Sequence, residues 1–173
     1  MSNVHQLYLF RHGLAENEHP DHPGVDFERR LTERGIERTR QALAGAARLG
    51  VTPDAIWTSP YVRTLQTAAL AHELLPGAAP IVVVDELACE GSNDALLLRL
   101  ASSDARCLLL IGHEPNLSDL VSAVTSGRSL VRQRFKKAGL AHIELHSLQR
   151  RVVGRLVAYL PPRVLRLVGG AAE

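Results

Sequence analysis

Three short apolar runs, Ala55–Thr58, Ile81–Val84 and Cys107–Ile111, each hand the chain directly to a segment with helix-start chemistry. A fourth, spanning residues 6–10, does so after a polar stretch from Leu14 to Arg30. Runs of this length, rich in β-branched and aromatic residues, predict buried strands. The partner signals predict helices: Thr32 as N-cap of a helix over 33–49 ended at Gly50; Ser59-Pro60 capping a helix from Tyr61 to Leu74; Ser92 or Asn93 opening one through Ala101; and a last one after Pro115-Asn116 to Thr125. Strands that each feed a helix make a mostly parallel sheet with right-handed crossovers and both faces covered. Leu140–Leu145 and Val152–Leu160 read as two further strands around a polar turn, an antiparallel pair at the sheet edge. The expected fold is a three-layer α/β/α sandwich forming one domain over 1–173, with the tail 161–173 peripheral and its Gly169-Gly170-Ala171-Ala172 end frayed.

At 173 residues and 46% hydrophobic, the chain is long enough to bury its own core without a disulfide, so Cys89 and Cys107 are expected to be reduced and structural. Nothing at the start resembles a signal peptide and no apolar run approaches the ~20 residues that cross a bilayer, which predicts a cytoplasmic protein with no membrane partner. Charge is uneven: residues 1–125 carry 10 Lys/Arg against 16 Asp/Glu, and residues 126–173 carry 10 against 2. The basic cluster Arg128, Arg132, Arg134, Lys136 and Lys137 reads as a solvated surface or as attraction to an acidic partner. Only Phe135 interleaves with it, which argues against nucleic acid. The oligomeric state is left open.

In a parallel sheet the carboxyl ends of the strands share one edge, and ligands bind there. The first strand delivers Arg11 and His12 followed by Gly13; the second, Ser59 and Arg63; the third, Asp85, Glu86 and Glu90; the fourth, His113 and Glu114. Two guanidiniums are planar, permanently charged forks matched to phosphate oxygens, and helix N-termini add backbone donors to an anion. Beside them a neutral imidazole is a competent nucleophile for a phosphoryl group. His12 would carry the phosphate and water would later remove it, while Arg11, Arg63 and His113 stabilise the equatorial oxygens. Asn17, five residues on from His12, could reach the phosphate from the rim. Glu18, His19, Asp21 and His22 have a metal-like composition but no ordered spacing, and they read as a mobile rim loop rather than a metal site. No P-loop sequence is present.

Leu9-Phe10-Arg11-His12-Gly13, Arg30-Leu31-Thr32-Glu33-Arg34-Gly35, Thr58-Ser59-Pro60-Tyr61-Val62-Arg63-Thr64-Leu65-Gln66-Thr67-Ala68 and Ile111-Gly112-His113-Glu114-Pro115 follow one another across residues 9–115. In this order they resemble the motifs of the histidine phosphatase superfamily. The resemblance implies His12 as the phosphorylated nucleophile, Arg11 and Arg63 as phosphate ligands, and His113 as the second pocket histidine, with no metal and no cofactor. The chain lacks the large helical insertions of phosphoglycerate mutases and phytase-like members. Val84-Asp85-Glu86-Leu87 leading into a short helix is most similar to the compact bacterial phosphohistidine phosphatases, which act on histidine-containing phosphotransfer domains of phosphorelays. The implied partner is a phosphorylated protein. The alternatives are a phosphomonoesterase or mutase-like enzyme acting on a small phosphorylated metabolite and, in another class, a non-catalytic phospho-ligand binding module. Superfamily members that release an alcohol supply a carboxylic acid after the third strand; Glu86 and Glu90 compete for that place, with Glu86 the first choice.

Overall fold

The first apolar run forms β1 (His5–Arg11), and its parallel neighbour is β4 (Cys107–Gly112), in a register that sets Leu7 opposite Leu108 and Arg11 opposite Gly112. The computed structural model describes residues 5–17, 23–126, 134–147 and 152–171. Alternation along β1 divides the core in two. Tyr8 and Phe10 face one side with Ile56, Leu109 and Ile111, while Leu7 and Leu9 face the other with Trp57, Leu108 and Leu110. Burial on both faces is what makes these strands near-continuous apolar runs rather than alternating ones.

Against the first face lie α1 (Glu33–Arg48), α2 (Val62–Leu74) and α5 (Pro162–Val168), through Leu43, Ala46, Ala68, Ala71 and Leu165. Against the second lie α3 (Asn93–Ala101) and α4 (Asn116–Thr125), through Leu96, Leu100, Leu117, Leu120 and Val124. With β2 (Ala55–Thr58), β3 (Ile81–Val83), β5 (Leu140–Ser147) and β6 (Val153–Leu160), the sheet runs β3-β2-β4-β1-β5-β6. The first four of these are parallel; β5 and β6 are antiparallel and close one edge. This is the expected three-layer α/β/α sandwich with a mostly parallel sheet.

Caps follow the sequence in two places: the Thr32 hydroxyl accepts from the Gly35 N–H at 3.0 Å, and the Ser92 hydroxyl from the Ala95 N–H at 3.3 Å. Ser59 differs. The N-cap position of α2 is Tyr61, with no side-chain cap; the Ser59 hydroxyl accepts from the Tyr61 N–H at 3.4 Å and lies 2.9 Å from His113 Nε2. The tail also differs from a peripheral end as far as residue 171; Ala172 lies outside the described residues. Pro162 starts α5, which packs on α1 so closely that a Cβ at Gly45 would lie 1.9 Å from the Leu165 carbonyl oxygen, and Leu165 itself is fully buried. The Leu- and Arg-rich tail is therefore a short helix anchored on α1 by Leu165, with Val164 and Leu167 exposed, not a solvated end. β3, read as buried, is an edge strand with Ile81, Val82 and Val83 exposed; only the following Val84 is buried.

Candidate active site

The β1–β4 register continues past the strand ends, so His12 and His113 leave adjacent parallel strands side by side, ring centroids 5.1 Å apart. The His12 N–H donates to the Gly112 carbonyl at 3.2 Å, pinning the first histidine to the second strand. Gly13 lets the chain turn there. Its N–H donates to the Thr67 hydroxyl at 3.3 Å, and a Cβ would lie 2.2 Å from the Thr39 hydroxyl, a space that holds no side chain.

His12 is buried, and its Nδ1 lies 2.7 Å from the Gly13 carbonyl oxygen. A carbonyl only accepts, so Nδ1 carries the proton and Nε2 keeps its lone pair. Burial pushes the His12 pKa down to about 2, helped by His113, Arg63 and Arg11 and opposed by the bond to Gly13. His113 is buried too, between a Ser59 Oγ 2.9 Å from its Nε2 and an Arg63 Nη2 3.3 Å from its Nδ1. Because a guanidinium only donates, Nδ1 of His113 is the acceptor and its Nε2–H points to Ser59. Burial, then Arg63, lowers the His113 pKa to about 3. Both rings are neutral at neutral pH.

Arg11, half-buried, donates through Nη1 to the Phe135 carbonyl at 2.6 Å, and the Ala138 N–H returns a bond to the Arg11 carbonyl at 3.0 Å. Arg63 is only 2% exposed. Its Nη1 donates to the Asp26 carbonyl oxygen at 2.6 Å and its Nη2 to Asp26 Oδ2 at 2.9 Å, while the Tyr61 ring lies 4.6 Å from its guanidinium carbon. The Nε–H groups of both arginines are buried and have no hydrogen-bond partner among the described residues. Buried donors are normally satisfied, and two orphaned charged donors beside a neutral histidine pair describe a place for an anion.

The sequence similarity has the same centre: the family model described as histidine phosphatase superfamily (branch 1) matches residues 7–88. The chain belongs to the histidine phosphatase superfamily. A relative, an uncharacterised protein of a Picosynechococcus species, is 36% identical over 139 residues, which are 78% of this chain and 82% of that one. Among solved structures, the protein histidine phosphatase SixA complexed with tungstate has a TM-score of 0.78 at 24% identity, covering 92% of this chain and 99% of its own. A proposed phosphohistidine phosphatase SixA from Agrobacterium tumefaciens has a TM-score of 0.75 at 28% identity, over 91% and 98% of the two chains.

His12, Arg63 and His113 lie together, with Arg11 next to His12 in sequence. Glu86 does not join them. Its Oε1 accepts from Arg99 Nε at 3.1 Å on the α3 side, and bonds from its own backbone first and Arg99 second hold its pKa below the usual carboxylate value. Glu86 lies on the single-turn helix Asp85–Leu87. Glu90 stands nearer, accepting from the Tyr61 hydroxyl at 3.0 Å, and the Tyr61 ring meets His113 edge-on at 4.9 Å. Asn17 is exposed and makes no hydrogen bond with the four site residues. Cys89, expected to be structural, is exposed with its sulfur 3.5 Å from Arg63 Nη2. Glu18, His19, Asp21 and His22 lie outside the described residues, as do Arg128 and Arg132. Among the described residues no three His, Cys, Asp or Glu side chains gather as a metal site, and no helix is long and apolar enough to cross a membrane.

Sequence reasoning missed Asp26, Tyr61 and the Phe135 carbonyl. The spacing of Asp26 to Arg29 was a usable local signal, since residues three apart on a helical turn are neighbours; Asp26 and Arg29 do form an ion pair. A backbone carbonyl that steers Arg11 from 124 residues away leaves no signal in residue type.

Proposed function

We propose that this protein is a phosphatase whose His12 takes the phosphoryl group, and that its substrate is a phosphohistidine on a phosphorelay-type protein. The observation that carries the first part is the pair of buried guanidinium Nε–H groups, without a partner among the described residues, beside an imidazole whose Nδ1–H is already committed to Gly13. In the first step the Nε2 lone pair of His12 forms the N–P bond as the P–N bond of the substrate breaks, and the departing imidazole takes its proton from solvent. In the second, water attacks the phosphorus, the His12–phosphorus bond breaks, and inorganic phosphate leaves with the neutral imidazole restored. Arg11 and Arg63 supply fixed positive charge to the equatorial oxygens, and the His113 Nε2–H can turn from the Ser59 hydroxyl to a phosphoryl oxygen. None of these roles calls for a metal, and a chelator is expected to leave turnover unchanged.

The second part rests on the carboxylates. An alkoxide leaving group needs a proton in the transition state, and a positioned acid contributes ~10²–10⁴-fold. Here Glu86 is tied to Arg99 and Glu90 to the Tyr61 hydroxyl. Imidazole, a far weaker base, leaves without such help. The likeness in fold to the two SixA structures points the same way. A small phosphorylated metabolite as substrate and a non-catalytic phospho-ligand module are the readings to be separated from this one.

Two measurements do so. His12→Ala should abolish turnover, and wild type should yield an acid-labile, base-stable phosphate adduct on His12; an active His12→Ala protein would sink the nucleophile, and no turnover by the wild type on any substrate would favour the binding module. The kcat/KM ratio for a phosphohistidine protein over an alkyl phosphate should be high in the wild type. A wild type that prefers the alkyl phosphate refutes the substrate assignment.

A further inference from the structure

A guanidinium has two forks. One lies between its terminal nitrogens, Nη1 and Nη2; the other lies along its side, between Nε and Nη2. In Arg63 the terminal fork is filled by a single residue: Asp26 receives Nη1 on its backbone carbonyl oxygen at 2.6 Å and Nη2 on its carboxylate at 2.9 Å. In the side fork Nε is buried with no hydrogen-bond partner among the described residues, and the Nη2 end has the longer contacts to His113 Nδ1 at 3.3 Å and Cys89 Sγ at 3.5 Å.

Asp26 is itself held. It sits on the short 3₁₀ helix Pro23–Glu28, and its other carboxylate oxygen, Oδ1, accepts from Arg29 Nε at 2.6 Å. Arg29 in turn donates through Nη1 to the Glu16 carbonyl at 2.7 Å. The chain of contacts runs from the backbone after β1, through Arg29 and Asp26, to Arg63. Burial alone would raise the Asp26 carboxyl, but the hydrogen bonds from Arg29 and Arg63 outweigh it and hold it below its ordinary value. With Oδ1 and Oδ2 both accepting from guanidiniums, the group is an ionised acceptor and has no proton to give.

We infer that Asp26 is a positioning residue: it clamps the terminal fork of Arg63 so that the side fork, Nε and Nη2, faces the phosphoryl group. The inference rests on Arg63 being a phosphate ligand, as proposed above. It competes with two other roles a carboxylate here could play, a plug that occupies the anion site and must be displaced, and a general acid.

The test measures inhibition by vanadate, which mimics five-coordinate phosphorus, together with kcat and KM on a phosphohistidine protein. The proteins are wild type, Asp26→Asn, Asp26→Ala, Arg63→Lys and the double variant Asp26→Ala, Arg63→Lys. Two substitutions at Asp26 guard against one that misfolds, with thermal unfolding as the check. A displaced guanidinium loses the geometry that the transition state needs, and misplacements near 1 Å cost on the order of 10²-fold. The expected result is vanadate binding weakened ~10-fold and kcat lowered more than KM is raised in both Asp26 variants, in parallel across pH. Asp26→Ala should add nothing to Arg63→Lys, because the clamp then holds no guanidinium. Tighter vanadate binding in Asp26→Ala would overturn the inference in favour of a plug, and a shifted limb of the kcat–pH profile in favour of an acid. If Arg63→Lys binds vanadate as well as wild type does, the phosphate-ligand reading fails first. If Arg63→Lys is impaired and the Asp26 variants are not, the clamp alone fails.

Discussion

Two neutral, buried histidines impose a pH dependence on folding that can be worked out from the structure. His12 and His113 are 5% and 2% exposed, with pKa values lowered from 6.5 to about 2 and about 3. Between the folded and unfolded values, the unfolded chain binds more protons than the folded one. Stability therefore rises with pH through that window and is lost as pH falls below the unfolded value. At about pH 5 each unfolded imidazole is protonated and each folded one is not, so moving there from about pH 7.5 costs about 2 kcal/mol per histidine, or about 4 kcal/mol for the pair. The figure depends on the unfolded pKa; the folded ones only have to lie well below 5. Urea unfolding at the two pH values measures it, and repeating the pair of measurements on His12→Gln, His113→Gln removes by subtraction the part due to carboxylates. Wild type should lose about 4 kcal/mol more than the double variant. Equal losses would show that the rings titrate normally in the folded protein and would refute the neutral, desolvated pair on which the nucleophile rests.

Three further outcomes follow from single contacts. Gly13→Ala puts a methyl group 2.2 Å from the Thr39 hydroxyl, and should cost ~1–3 kcal/mol by urea unfolding and lower kcat as the turn after His12 shifts. Leu165→Ala opens a cavity between α1 and α5 and should cost ~2–5 kcal/mol despite its place near the end of the chain; a loss below 1 kcal/mol, on the order expected at a surface site, would mean that α5 is not part of the core. Glu86→Gln should leave kcat/KM unchanged on an alkyl phosphate as on a phosphohistidine protein, since its carboxylate is with Arg99, and a loss of 10-fold or more on the alkyl phosphate, on the order of a general acid's contribution, would return it to the site.

What was legible in the sequence was what the backbone dictates. Apolar runs place β1, β2 and β4 because burial on both faces leaves the same trace in residue type wherever it occurs. The same rule misjudged β3, whose Ile81, Val82 and Val83 are as β-branched and apolar as a core strand yet lie at the open edge, since edge position is a matter of strand order and not of composition. It misjudged the tail for the opposite reason: arginines on one side of α5 hid a fully buried Leu165 on the other. Glu86, the first choice over Glu90, lies with Arg99 because a carboxylate's direction after a strand is set by the local turn, and Arg99 stands thirteen positions on to receive it.

The site divides along the same line. His12 and His113 are placed by the central pairing of β1 with β4, where a slip of one residue would turn one ring to the opposite face of the sheet and end the 5.1 Å contact. Their positions are thus over-determined by the most buried part of the molecule, and the reaction class is visible from a few motif residues. Asp26, Tyr61 and Glu90 reach the same point from segments outside the sheet, through side-chain contacts that a neighbouring substitution can redirect without disturbing a strand. The chemistry of phosphoryl transfer is accordingly written into the strand ends. The ties of Glu86 to Arg99, of Glu90 to Tyr61 and of Asp26 to Arg63 run through side chains alone, which is why they become readable only once those bonds are seen.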